Sequence, residues 1–104
     1  MPVVFFLLKL KPGVSRDAYE TWVRSVDYPT ARSLASIVDY RDHRLEAPLE
    51  EGGDVEWDYL ERVVVSDLDA YRRDLATPAA REMSAQWASF VERHVAWTAA
   101  EIDG

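Results

Sequence analysis

The sequence predicts an α+β protein with the ferredoxin-like order βαββαβ, in which a four-stranded antiparallel sheet carries its helices on one face. Four apolar runs of strand composition alternate in that order with two amphipathic regions and one polar loop. Two strands joined by a loop without a helix most simply form an antiparallel hairpin, which gives the split βαβ arrangement. The length of 104 residues and the 48% apolar content suit one domain, so we expect residues 1–104 to form a single unit.

The first strand and the helical region after it account for the opening third of the chain. Pro2–Leu10 is rich in β-branched and aromatic residues and is followed by Lys11-Pro12-Gly13, which ends the strand. Ser15 is a suitable helix N-cap. We expect the helix to break at Asp27-Tyr28-Pro29-Thr30, because the residue before a proline disfavours helical backbone, and a short turn or helix to follow through Leu34. The apolar stripe of the first helix consists of Ala18, Tyr19, Trp22, Val23 and Val26.

The middle of the chain is typical of a β-hairpin. Ile37–Leu45 and Trp57–Val65 are the predicted strands, because both combine aliphatic and aromatic residues with polar ones. Between them, Glu46–Glu56 contains a proline, two glycines and five acidic residues, and this composition predicts a loop.

The last helical region and the final strand complete the unit. Ser66-Asp67-Leu68-Asp69 resembles a capping box, and Thr77-Pro78 predicts a second helix start with proline in the first turn. His94–Ile102 is the predicted last strand, with His94 placed at the helix end, where a cation is favoured. Because the helices cover only one face of the sheet, we expect the other face to pack against a second copy of the chain in a homodimer.

Composition and charge exclude several classes of partner. The net charge is −7 and the longest basic run is the pair Arg72-Arg73, so neither nucleic acid nor an anionic membrane is an expected partner. The apolar stretch Val3–Leu8 is too short to span a membrane and lacks the charged start of a signal peptide. The absence of cysteine excludes disulfides and thiolate chemistry and fits a cytoplasmic protein.

Two titratable residues of the hairpin are the main candidates for chemistry. His43 is one of only two histidines and shares a strand face with Asp39 and Arg41. Glu61 lies mid-strand beside Leu60, where a carboxylate is costly unless it is paired or lines a polar cavity. One register of the two strands brings His43 and Glu61 together on the same face. There they would form a general acid–base pair, because imidazole exchanges a proton near neutral pH.

Purely structural roles are the alternative for both residues. A histidine at a strand end beside arginine and aspartate is commonly a surface residue in a solvated cluster of charges. Glu61 is equally able to form a structural ion pair with Arg41 or Arg62.

No metal or cofactor is expected. The chain has no His-x-His, no pair of histidines at helical ligand spacing and no glycine-rich phosphate loop. The many aromatic residues predict instead a cavity for a flat aromatic ligand, although Trp22 and Trp87 are assigned to the core. Tyr28 and Tyr59 are the preferred pocket residues, because each hydroxyl needs a partner. Trp57 and Arg41 complete the candidate substrate-binding set.

Several motifs resemble the RedY-like/HapK family over nearly the whole chain. The more specific ones are the Tyr-Arg-x-His-Arg motif at Tyr40–Arg44 and the Leu-Ala-Thr-Pro-Ala motif at Leu75–Ala79. Further similarity lies in Lys9–Val14, in Asp27–Thr30 and in Asp58–Glu61. Downstream, the chain also matches the family at Ser66–Tyr71, at Asp74–Ala79 and at Trp87.

The resemblance implies a dimeric α/β-barrel fold and a role in making prodiginine-type pigments or bisindole alkaloids. Proteins of this family are similar to cofactor-free cyclases that steer a reactive imine or enamine intermediate into a ring. Position by position, His43 and Glu61 match the family's histidine and glutamate, which would act as acid and base. Asp42 departs from the pattern, since relatives often have an apolar residue there. The implied partner is a small aromatic biosynthetic intermediate.

Two other functions fit the same fold. A cofactor-independent monooxygenase would use the aromatic cavity to activate an electron-rich substrate toward oxygen, and oxygen uptake would identify it. A ligand-binding dimer without catalysis would leave every reaction unchanged when His43 is replaced by alanine. The fold alone does not choose among them, because it carries many activities.

Overall fold

The computed structural model describes residues 1–104 and contains one four-stranded antiparallel sheet. The strand order across the sheet is β2-β3-β1-β4, so the first strand lies between the third and the fourth. This confirms the predicted βαββαβ order and the antiparallel hairpin. The strands are β1 Pro2–Leu10, β2 Ile37–Arg44, β3 Tyr59–Val65 and β4 Val91–Ala100.

Each helical connection is divided into shorter segments. The first comprises α1 Arg16–Trp22, a π-helical turn at Val23–Asp27 and α2 Tyr28–Ser33. The second comprises α3 Leu68–Leu75 and α4 Pro78–Phe90. None of these helices has the length and apolar character needed to cross a membrane.

The predicted break before Pro29 was wrong, because the backbone stays helical from Arg16 to Ser33. The π-helical turn lies directly before the proline, and the N–H of Tyr28 bonds to the carbonyl of Val23 five residues earlier. Such a wide turn accommodates a proline, which cannot donate a backbone hydrogen bond and crowds the preceding turn. The helix therefore continues through this position and does not end there.

Several element boundaries also differ from the prediction, and β2 and β4 end at Arg44 and Ala100 instead of Leu45 and Ile102. The N-cap of α3 is Asp67, whose side chain accepts from the N–H of Ala70 at 2.8 Å, and not Ser66. The strand β3 begins at Tyr59, which leaves Trp57 outside it. The last strand begins at Val91 directly after α4, so His94 lies within β4 opposite Leu8 and not at a helix end.

The core lies between the helices and one face of the sheet. Along β3 the buried residues alternate with partly exposed ones, as expected for a strand with one covered face. Leu8, Tyr19 and Val65 are its fully buried large side chains. We call the other sheet face the open face. Its cross-strand rows carry Leu60, Leu7 and Val95, then Arg62, Phe5 and Trp97, then Val64, Val3 and Ala99.

Candidate active site

The main cavity of the protein lies between the covered face of the sheet and the helices. Its volume is about 270 Å³, and ten of its thirteen lining residues are hydrophobic. Aromatic rings come from β1 and α4 through Phe6 and Trp87, and from β2 and α3 through Tyr40 and Tyr71. A cavity with these walls accepts a flat, mostly apolar molecule.

Two carboxylates line this cavity, and a third lies close to both. Asp27, Asp42 and Glu61 each place a carboxylate oxygen within 4.8 Å of the others. Asp27 is 3% exposed and Glu61 is 5% exposed, and both line the cavity. Acidic side chains are seldom buried without a cationic partner, so this cluster is the most unusual chemical feature of the chain.

Local structure explains how the cluster forms. The antiparallel register pairs Asp42 of β2 with Glu61 of β3, and alternation along each strand points both residues toward the helices. Asp27 is the last residue of the π-helical turn. Asp27 continues the buried stripe of Tyr19 and Val23 and lies beside the two strand residues, and π-helical turns often occur at functional sites.

Hydroxyl and indole groups hold two of the three carboxylates. The Tyr40 hydroxyl donates to Oδ2 of Asp27 at 2.6 Å. The Tyr19 hydroxyl and the indole N–H of Trp87 both donate to Oε1 of Glu61 at 3.3 Å, and the indole N–H also lies 3.2 Å from the Tyr19 oxygen. Both oxygens of Asp42 are buried without a hydrogen-bond partner. The three carboxylates take part in no ion pair.

Burial and mutual repulsion keep protons on this cluster. Removal from water raises the pKa of Asp27 to about 6, against the hydrogen bond from Tyr40. Burial, followed by the charges of the neighbouring carboxylates, raises the pKa of Asp42 and the pKa of Glu61 above their ordinary values. A carboxylic acid that stays protonated near neutral pH is able to act as a general acid, and its conjugate base takes the proton back.

Asp42 also borders a second, smaller pocket of about 130 Å³ that contains Glu20 and Arg44. Arg44 donates two hydrogen bonds to Glu20, at 2.8 and 2.6 Å. These bonds, together with one from Tyr59, lower the pKa of Glu20 to about 2. In the smaller pocket, the ionised and paired carboxylate of Glu20 therefore lies beside the unpaired carboxyl group of Asp42.

The predicted proximity of His43 and Glu61 was wrong. The register places Asp42 opposite Glu61 and His43 opposite Leu60. His43 is exposed on the open face, while Glu61 faces the helices. A register difference of one residue reverses the face of every side chain, and this is the physical reason for the error. The structural ion pair considered for Glu61 is also absent, since Arg41 and Arg62 both pair with Asp39 at 3.5 Å.

The four predicted substrate-binding residues lie outside the main cavity. Tyr28 and Tyr59 line the smaller pocket, where the Tyr28 hydroxyl accepts from the N–H of Asp42 at 2.8 Å and the Tyr59 hydroxyl donates to Glu20. Arg41 is exposed on the open face. The ring of Trp57 lies under the guanidinium of Arg93 at 4.6 Å.

Sequence reasoning missed Asp27, Asp42 and Trp87 as site residues. Asp27 follows Tyr19 and Val23 at intervals of four, so it continues the buried stripe, but only if the helix runs past the predicted break. Trp87 was assigned to the core, and its polar N–H was the signal that it needed a buried acceptor.

Comparison with known proteins places this chain in a family. A comparison with curated proteins finds no match. The structure of HapK from Hahella chejuensis is similar over 100% of this chain and 95% of that one, with 24% identity and a TM-score of 0.78. Hydroxynitrile lyase from Passiflora edulis is similar over 99% and 94%, with 12% identity and a TM-score of 0.80. A dimeric ferredoxin-like protein from Thermobifida fusca is similar over 96% and 90%, with 19% identity and a TM-score of 0.72.

These structural similarities support the ferredoxin-like α+β fold. The sequence model of the family described as REDY-like protein HapK matches residues 2–102, which is nearly the whole chain. The chain therefore belongs to the REDY-like HapK family.

Proposed function

We propose that this protein is a cofactor-free cyclase of natural-product biosynthesis, acting on a reactive imine or enamine intermediate of the bisindole or prodiginine type. The observation that carries the proposal is Glu61, a buried carboxyl group at the wall of an apolar cavity and next to a second carboxyl group, Asp42. Membership of the REDY-like HapK family adds support, because the resemblance to this family implies a role in small-molecule biosynthesis. Glu61 takes the acid–base role, with Asp42 as its proton-sharing partner.

The reaction uses one proton, which Glu61 donates to the substrate and later recovers from it. Protonated Glu61 donates to the imine nitrogen, and a nucleophilic carbon or nitrogen of the same substrate bonds to the imine carbon. The electron pair of the C=N bond moves to nitrogen. The ionised carboxylate then removes the proton from the attacking atom, which regenerates the acid and gives a product isomeric with the substrate.

The walls of the cavity supply the selectivity. Phe6 and Trp87, whose rings lie edge to face with centroids 6.3 Å apart, confine the substrate with its reactive ends close together, which raises the rate of the intramolecular step. The apolar lining excludes water, which would otherwise hydrolyse the imine. The Tyr19 and Trp87 donors orient the Glu61 carboxyl group and keep it aimed at the substrate.

A homodimer is part of the proposal. Phe5, Leu7 and Trp97 lie on the open face, and Trp97 is 54% exposed although it is a large aromatic residue. Covering this face with a second copy would remove its apolar surface from water. The similar protein from Thermobifida fusca is dimeric. In such a dimer the side chain of His43 would face the partner subunit. A catalytic role of His43 would therefore be exerted at the dimer interface and not in the main cavity.

The test is a product analysis with an imine precursor generated in the assay. Purified protein receives a bisindole imine, with and without EDTA, and the products are compared for wild type, Glu61→Gln and His43→Ala. Glu50→Gln in the exposed loop is the matched control. A cyclised product that survives chelation, is lost in Glu61→Gln and persists in the control is the expected result.

Three other outcomes would change the assignment. Loss of product in His43→Ala alone would return the acid–base role to His43. A product mixture identical with and without protein would exclude this substrate class. Oxygen consumption would identify a cofactor-independent monooxygenase, and ligand binding without turnover would identify a binding protein.

A further inference from the structure

We propose that the main cavity is a receptor for an organic cation, a flat aromatic molecule whose positive nitrogen lies against Asp27, Asp42 and Glu61. The proposal rests on the proposed function, because it concerns the same site and names the charge class of the substrate. A protonated imine belongs to this class, and so does any aromatic ring that carries a fixed positive nitrogen.

The first argument is the missing counter-charge. Three carboxylates lie within 4.8 Å of one another, and no arginine, lysine or histidine lines the cavity. Arg32, whose charge acts on Asp27, is occupied elsewhere, because it stacks on the ring of Tyr28 at 4.0 Å and donates to the carbonyl of Tyr40 at 2.9 Å. The cluster thus has no intramolecular cation to pair with, and a positive ligand would supply one.

The second argument is the unused hydrogen-bonding capacity. Glu61 is 5% exposed, and only its Oε1 accepts a hydrogen bond. Both oxygens of Asp42 are buried and accept none. Buried polar atoms without partners are costly and rare. Glu61 lines the main cavity and Asp42 pairs with it across the two strands, so this unused capacity is typical of a binding site whose ligand completes the bonding.

The third argument selects an organic cation over a metal ion. Outside the cluster the walls are apolar, and four aromatic rings face the space. Aromatic faces attract a cation with delocalised charge. Magnesium usually retains several waters and calcium requires six to eight oxygen ligands, and the three carboxylates offer little of that oxygen-rich environment.

Proton exchange gives the proposal a measurable signature. Without ligand the cluster keeps protons, because each carboxyl group is buried beside the others. The groups that face it are the hydroxyls of Tyr19, Tyr40 and Tyr71, and the charges of Arg32 and Glu20 act on it from α2 and α1. A cation that enters the cavity would therefore displace a proton, and its affinity would rise as pH rises.

The experiment uses two molecules of the same shape that differ in charge. Both 1-methylquinolinium and 1-methylnaphthalene have two fused rings and one methyl group, and neither carries an exchangeable proton. Titration calorimetry in two buffers of different ionisation enthalpy measures the affinity and the number of protons released. At pH 8 we expect the cation to bind at least about tenfold more tightly than 1-methylnaphthalene and to release a proton when it binds. At pH 6 the cation should bind more weakly than at pH 8.

Variants assign the preference to the cluster. Glu61→Gln and Asp42→Asn keep the side-chain size and remove one charge each, and either should reduce the preference for the cation at least about fivefold. Glu50→Gln should leave it unchanged. If one of the two cluster variants fails to fold, as judged by circular dichroism, the other provides the result.

Several outcomes would overturn the proposal. Equal affinities for the two molecules, or a preference that survives both cluster variants, would show that charge is not recognised here. Stoichiometric binding of Mn²⁺ that displaces the quinolinium would make the cluster a metal site. Because neither molecule can cyclise, cation binding with no cyclase activity would refute only the proposed function, and cyclase activity without charge preference would refute only the cation site.

Discussion

Replacing Asp27 by asparagine should make the stability of the protein less dependent on pH between pH 5 and pH 7.5. Asp27 is 3% exposed and accepts a hydrogen bond from Tyr40 at 2.6 Å. The amide oxygen of asparagine is able to accept the same bond, so the substitution removes a titrating charge while the geometry is kept. It tests whether the carboxylate cluster is as unfavourable to ionise as its burial indicates.

The magnitude follows from the raised pKa of Asp27. The pKa is 3.8 for an ordinary aspartate and about 6 in the folded protein, a difference of about 2.2 units, or about 3 kcal/mol. Because the folded-state pKa is the higher one, the folded state holds the proton more tightly, and stability falls as pH rises from about 4 to about 6 and then stays level. Between pH 5 and pH 7.5 this one group should lower the free energy of unfolding by about 1.4 kcal/mol.

Groups with depressed pKa values do not interfere in this range. The pKa of Glu20 is lowered to about 2, so its stabilising contribution is present above about pH 4.5 and is lost only in more acidic solution. Asp42 and Glu61, whose pKa values are raised, change stability in the same direction as Asp27. Removing the Asp27 charge also relieves part of their repulsion, so the asparagine variant should have the flatter profile.

Urea denaturation of wild type and Asp27→Asn at pH 5 and pH 7.5 measures the effect. The wild type should lose at least about 1.4 kcal/mol more than the variant between these two values. Asp54→Asn, in the exposed loop, is the control and should retain the slope of the wild type. Equal slopes in wild type and Asp27→Asn, or a wild type that becomes more stable at pH 7.5, would refute the reasoning.

Three further results are expected. Tyr19→Phe removes the hydroxyl that donates to Glu61 and should lower the free energy of unfolding, measured by urea denaturation, by about 1–2 kcal/mol. Tyr71→Phe, whose hydroxyl has no side-chain partner, should lower it clearly less. Equal losses in the two variants would contradict the hydrogen bond. Ala88→Leu on α4 should fill part of the cavity and weaken 1-methylquinolinium binding with an unchanged circular dichroism spectrum; unchanged affinity would place the ligand elsewhere. Trp97→Glu should shift the dimer to monomer in analytical ultracentrifugation, and a stable dimer would exclude the open face as the interface.

The site itself was only partly predictable. Glu61 was identified correctly as an unusual buried carboxylate, since a charge in the middle of a strand between apolar residues is costly unless it serves a cavity or a pair. Its partner was misidentified. The two-residue period gives the residues that share a face on one strand, but it leaves open which face of β2 matches which face of β3.

The register was decided by packing across the whole sheet. Tyr40 pairs with Val63 on the covered face, and Tyr40 is 5% exposed beneath the helices. Burying this ring sends Asp42 inward and His43 outward, because neighbouring residues on a strand point to opposite faces. The free energy of burying a tyrosine ring thus decides the position of a histidine three residues away.

Local sequence was sufficient for the order of strands and helices, for the antiparallel hairpin and for the first strand at Pro2–Leu10. These features depend on composition, periodicity and turn residues within a few positions of one another. The carboxylate cluster depends on contacts between Asp27, Asp42 and Glu61, which lie far apart in the chain. Only the tertiary structure brings them together, because the π-helical turn before Pro29 and the register of β2 on β3 are both set by what must be buried between the sheet and the helices.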